Sequence, residues 1–101
     1  MKAEFNLTRT QDTGILRVKG ELTASAAGQF KGHLQDIAEM TDLVISLAEV
    51  TMMDVSAIQL VQSFSTSFRN RGRIHVELPT NIELVYLLER TGLLQVLSIN
   101  K

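Results

Sequence analysis

Cysteine is absent from the 101 residues. That excludes a disulfide framework, a thiolate zinc site and a cysteine nucleophile. Histidine occurs only at His33 and His75, too few for a histidine-built metal cluster without carboxylates. Neither sign of charge dominates: the formal net charge is -1, which argues against a broad nucleic-acid surface. No apolar run approaches the roughly 20 residues needed to span a bilayer, and the first residues, MKAEFNLTRT, lack the apolar centre of a signal peptide. Pro79 is the single proline, the glycines are scattered, and there is no like-charge block or internal repeat, so no segment reads as a linker. What is present is 45% hydrophobic and 21% charged, the balance of an ordinary globular protein. The expectation is one soluble, cytoplasmic domain over residues 1–101, with no direct membrane insertion. The missing cysteine fits that compartment.

The hydrophobic pattern alternates between strand and helix periods. Phe5 and Leu7 alternate with polar neighbours and predict a strand over about 4–10. Gln11-Asp12-Thr13-Gly14 is turn chemistry, and Ile15, Leu16 and Val18 predict a second strand ending near Gly20-Glu21, together a hairpin. Phe30, Leu34 and Ile37 give one apolar helix face over about 25–40, capped by Thr23 or Ser25. Leu43–Leu47 is a continuous apolar strand. Val50–Asp54 reads as a turn into a helix whose apolar face is Ala57, Ile58, Val61, Phe64 and Phe68. Arg69 and Arg71 are expected in its last turn, and Gly72 as its stop. Ile74, Val76 and Leu78 alternate as a strand that Pro79 ends. Thr80-Asn81-Ile82-Glu83 reads as a capping box with Thr80 as cap. The helix after it is expected to bury the stripe Ile82, Val85 and Leu88 and to stop at Thr91-Gly92. Leu94–Ile99 reads as a last short strand or extended tail. The order β-β-α-β-α-β-α-β predicts an α/β fold, one mixed sheet with helices packed on it.

A search for chemistry comes back almost empty. There is no GxGxxG, Walker loop, HExxH or GxSxG. His33 and His75 have no set of partners that would make a nucleophile, base and oxyanion hole, and read as structural or solvent-facing. Met52 and Met53 offer a soft binding surface or core packing, and the spacing favours packing. No cofactor or metal is implied, and the chain does not read as an enzyme.

The informative stretch is Leu47 to Val61, LAEVTMMDVSAIQLV. A strand ends, a loop follows, and Asp54 opens a helix as its N-cap, with Val55 and Ser56 in the first turn. A phosphate there would meet unpaired N–H donors and the positive end of the helix dipole. Spacing alone favours the plainer alternative, a capping Asp54 beside a small, tolerated Ser56.

This stretch resembles the STAS domain, the fold shared by bacterial anti-sigma factor antagonists and the cytoplasmic tails of sulfate transporters. The family pattern is roughly L-x-x-[VL]-x-[FM]-[MI]-D-S-[ST]-G-[LI], and Leu47, Val50, Met52, Met53, Asp54, Ser56 and Ile58 match it. Gly20-Glu21-Leu22 looks like the family's turn after the second strand. Val85 to Leu93 looks like its closing helix and stop. The resemblance implies partner switching. The unmodified antagonist binds a GHKL-type serine kinase that otherwise holds a sigma factor, and phosphorylation of the serine after the motif aspartate breaks the complex. About two added negative charges in a desolvated interface, beside a fixed carboxylate, account for the release.

The sequence departs from the pattern at that position. Val55 has no hydroxyl, and Ala57 replaces the glycine. Either Ser56 has become the phosphoacceptor, or binding is free of phosphorylation control. The partner interface expected from the resemblance is Gly20, Glu21, Leu22 and Thr23 together with Asp54, Val55, Ser56 and Ala57. The implied partner is a GHKL-type serine kinase or anti-sigma factor. The alternative is the ABC ATPase of a lipid transport system, gripped by a small cytoplasmic STAS subunit. A building block of a larger sensory assembly is a third reading.

Overall fold

A computed structural model of the chain describes residues 2–90 and Gly92. The elements are β1 (Glu4–Thr10), β2 (Thr13–Leu22), α1 (Ala24–Asp36), β3 (Asp42–Met53), α2 (Val55–Phe68), β4 (Arg73–Glu77) and α3 (Ile82–Arg90). The expected final strand over Leu94–Ile99 lies outside the described residues, as does Thr91 of the expected helix stop.

The strands form one mixed sheet in the order β1-β2-β3-β4. β1 pairs antiparallel with β2, closing on Thr10↔Thr13. The hairpin turn is therefore tighter than the sequence suggests, and Gln11 takes the positive φ of 50°. Gly14 falls inside β2, where an added Cβ would meet Leu43 and Ile37 side chains at 3.1 and 3.2 Å. β2, β3 and β4 run parallel, joined through α1 and α2 as crossover helices require.

Alternation decides what each face of the sheet does. Leu16 and Val18 of β2, Leu43, Ile45 and Leu47 of β3, and Ile74 and Val76 of β4 are buried. They join Phe30, Leu34 and Ile37 from the α1 region and Ile58, Val61 and Phe68 from α2 in one hydrophobic cluster. Burial of each such side chain contributes about 1.5–3 kcal/mol. The alternate positions of β2–β4 are more polar, and there Ser46 donates to the Glu77 carboxylate. His75, between Ile74 and Val76, is exposed, as its alternation predicts.

Four expectations are corrected. The Val50–Met53 stretch is strand rather than turn, because β3 keeps pairing with β2 as far as Leu22↔Met53. α2 buries Ala57, Ile58, Val61, Ser65 and Phe68. Phe64 is only half-buried, its ring stacked on Phe68 at 5.9 Å between centroids. α2 also ends earlier: Arg69 is its C-cap, Arg71 lies beyond it over the Phe68 ring, and Gly72 is not at positive φ. Gly72 is instead required by close approach, since a Cβ there would lie 2.6 Å from both the Phe68 ring and the Thr41 carbonyl oxygen. Finally, Asn81 rather than Thr80 caps α3, its Oδ1 accepting the Leu84 amide at 3.1 Å. Thr80 is held to β3 instead: its hydroxyl donates to the Ala48 carbonyl at 3.2 Å.

Candidate functional site

β2 and β3 run in the same direction and end together, so their following turns lie side by side at one end of the sheet. Gly20 pairs with Val50, Glu21 with Met52, and Leu22 with Met53. The two stretches singled out in the sequence, Gly20–Thr23 and Asp54–Ala57, are thereby brought together. Gly20 takes a φ of 94°, a conformation that glycine adopts at no steric cost, at the register shift between Gly20 and Glu21.

Asp54 is the tie between them. As N-cap of α2 it has an extended backbone and accepts the Ala57 amide on Oδ1 at 3.0 Å. Its other oxygen, Oδ2, accepts the Ala24 amide at 2.6 Å. Ala24 opens α1. One carboxylate therefore satisfies an amide in the first turn of each of two helices, and stands at two positive dipole ends. The Asp54 amide completes the junction by donating to the Leu22 carbonyl at 3.4 Å. The sequence reveals the cap on α2 but not the bond to α1, which spans thirty positions. Neither expected cap of α1 acts as one: Thr23 is the N-cap by position but makes no capping hydrogen bond, and its hydroxyl pairs with that of Ser25 at 3.0 Å.

The expected site residues divide by exposure. Leu22 and Ala57 are 0% exposed, and Gly20 is buried. These three shape the junction from inside. Glu21, Thr23 and Asp54 are half-buried, and Ser56 is exposed. Val55 is 64% exposed. The methionine pair splits: Met53 enters the core and Met52 is 49% exposed.

The sequence reading places two side chains on the apolar helix after Pro79 but misses their exposure. Ile82 is 64% and Tyr86 55% exposed, although Ile82 was expected in a buried stripe with Val85 and Leu88. α3 turns Leu84 and Leu88 inward instead and leaves Val85 half-buried. The available signal was breadth: six of the seven residues from Ile82 to Leu88 are apolar or aromatic, too many for one buried stripe, so part of that surface had to face outward.

Among the described residues, no group of three or more His, Cys, Asp or Glu side chains is placed to hold a metal ion. His33 lies against Phe5, the ring centroids 4.9 Å apart and the planes tilted by 31°. No helix among the described residues is long and apolar enough to cross a membrane.

Comparison with known proteins agrees with this architecture. No protein of curated function matches the chain. Among solved structures, an anti-sigma factor antagonist from Mycobacterium paratuberculosis superimposes with a TM-score of 0.81 at 14% identity, covering 91% of this chain and 80% of that one. The phosphorylated form of the Bacillus cell fate determinant SpoIIAA gives 0.70 at 22% identity, covering 89% and 85%. A sulfate transporter family protein from Wolinella succinogenes gives 0.68 at 22% identity, covering 89% and 75%. These likenesses establish the fold. The model of the STAS domain matches residues 4–101, and the chain belongs to the STAS domain family.

Proposed function

We propose that this chain is a single-domain, non-enzymatic protein-binding regulator resembling the anti-sigma factor antagonists. Its contact surface is the Asp54–Val55–Ser56 helix start with Glu21–Thr23 beside it, where the expected turn is instead the last two residues of β2 followed by Thr23. Its partner is a GHKL-type serine kinase or anti-sigma factor in a cytoplasmic partner-switching pathway. What supports the binding role is the match to the STAS domain over residues 4–101; what supports the contact surface is Val55, whose missing hydroxyl counts against a phosphorylation switch at that position. Val55 holds the family's phosphoacceptor position, it is 64% exposed, and the Asp54 carboxylate that fixes its helix start leaves its side chain free for a partner.

A valine cannot be phosphorylated, so contact at this position is not released by a kinase. Ser56 is exposed next to it, but one step along a helix turns a side chain by about 100°. A kinase set to modify position 55 does not find the Ser56 hydroxyl in the same place. The same observation favours a second reading, a small subunit that grips an ABC-type ATPase constitutively in a lipid transport system.

Recovery of the tagged full-length chain from its native cells, with mass spectrometry of co-purifying proteins and of phosphosites, tests both readings. The expected result is a GHKL-type kinase with Ser56 unmodified. An ABC ATPase with its permease would select the transport reading. Phosphate on Ser56 would restore a switch, and Ser56→Asp should then mimic it in part. Nothing above the untagged control would contradict partner binding.

A further inference from the structure

The large apolar side chains most exposed among the described residues are Met52, Val55, Ile82 and Tyr86. They form two pairs, which the fold links through β3. Met52 and Val55 flank Asp54. Ile82 and Tyr86 lie one turn apart on α3, a spacing that puts them on one face, opposite the buried Leu84 and Leu88. The start of α3 is pinned to β3, because both the amide and the hydroxyl of Thr80 donate to the Ala48 carbonyl, at 3.4 and 3.2 Å. Ala48 precedes Met52 by four strand residues, about 13 Å at strand rise. The pairing of β4 with β3 ends at Ser46↔Glu77, so the last part of β3 extends past β4 on the side from which α3 begins.

A standard protein interface covers about 800 Å² per partner, a patch roughly 30 Å across. A partner seated on the Asp54 helix start therefore has the reach to extend to the start of α3. The charges along them are predominantly acidic. Glu49, Asp54, Glu83 and Glu89 lie on these segments with one cation, Arg90, and across the junction Glu21 is paired with Lys2 by an isolated β-bridge, whereas Arg69, Arg71 and Arg73 follow α2 at the far end of the sheet.

We propose that the Asp54 junction and the outer face of α3 form one two-part docking surface, with Val55 and Met52 at one anchor and Ile82 and Tyr86 at the other. Its occupant is a protein partner that presents an apolar strip flanked by lysine or arginine, such as a basic amphipathic helix. The inference rests on the reading of the Asp54–Val55 helix start as a contact surface and adds the second anchor and the partner's chemistry.

The test is an NMR titration of the full chain with a helical Leu/Lys peptide, and with the matching Leu/Glu peptide as control. The expected result is amide shift changes at 52–56 and at 82–86 with the basic peptide only. Ile82→Ser/Tyr86→Ser should weaken that binding at least tenfold while the thermal midpoint stays near wild type, because both side chains are exposed. Shift changes at 52–56 alone would overturn the second anchor and leave the contact reading standing. Changes at 82–86 alone would overturn the shared surface and count against the contact reading itself. Equal or stronger binding of the acidic peptide would overturn the charge assignment. A concentration-dependent dimer by light scattering that Tyr86→Asp abolishes would show that the surface pairs with a second copy of the chain, and would overturn the proposal.

Discussion

At the scale of the residue, Asp54 carries the most structure. Its two oxygens hold amides from the first turns of two helices, so it fixes the angle at which the β2–α1 and β3–α2 turns meet. An N-cap substituted by alanine usually costs about 0.5–2 kcal/mol. Asp54→Ala removes two such acceptors and should lower the unfolding free energy by about 2 kcal/mol, read as a lower urea midpoint with unchanged slope. Asp54→Asn keeps one carbonyl acceptor and should lie between alanine and wild type. An alanine variant with the wild-type midpoint would show that water replaces both bonds without loss. The sequence makes the cap on α2 legible because aspartate before an apolar helical period is a local signal. The bond to Ala24 is not legible, because it depends on the parallel register that sets Leu22 beside Met53.

At the scale of the element, α2 and α3 show how far periodicity reaches. Both helices are evident from spacing, and so is the start of α2, whereas α3 is capped by Asn81 and not by Thr80. Which apolar residues face inward is less evident when a helix carries more of them than one stripe holds. In α2 the buried face takes Ser65 and Phe68 and leaves Phe64 half-covered. Phe68→Ala should therefore cost about 3–5 kcal/mol, as for a fully buried ring, and Phe64→Ala clearly less. Paired urea curves check the order, and an equal loss would place Phe64 in the core as the sequence spacing suggests. The segment after α2 gives a sharper case. Gly72 sits 2.6 Å, measured from an added Cβ, from a backbone oxygen that cannot rotate away, and the adjacent Arg73 amide donates to that same Thr41 oxygen at 2.9 Å. Gly72→Ala should cost about 1–3 kcal/mol by overpacking, seen as a drop of several degrees in thermal midpoint. A wild-type midpoint would mean that the Thr41 turn shifts freely.

At the scale of the whole molecule, the fold gathers chemistry through direction. Parallel strands send the ends of β2 and β3 to one side of the sheet, and the start of α3 is tied to β3 through Thr80. Loops gathered at one end of a rigid sheet are where partners reach several segments at once. The element order through α3 was legible in the sequence because each strand and helix has its own period and its own punctuation. The α3 surface was not, since Ile82 and Tyr86 are exposed only by virtue of which side of the helix meets the core.

The account's central claim is that the exposed valine beside Asp54 contacts a protein partner. Val55→Asp tests it most directly, because it sets a charge against the partner's apolar strip at the position of an apolar anchor while altering a side chain outside the core. The decisive measurement compares, by quantitative mass spectrometry, what tagged wild-type and Val55→Asp chains recover from native cells. The account predicts one kinase-type or ATPase-type partner held by the wild type and reduced at least tenfold by Val55→Asp, with thermal midpoints that agree. The same partner recovered equally by both chains would contradict it and place the interface elsewhere.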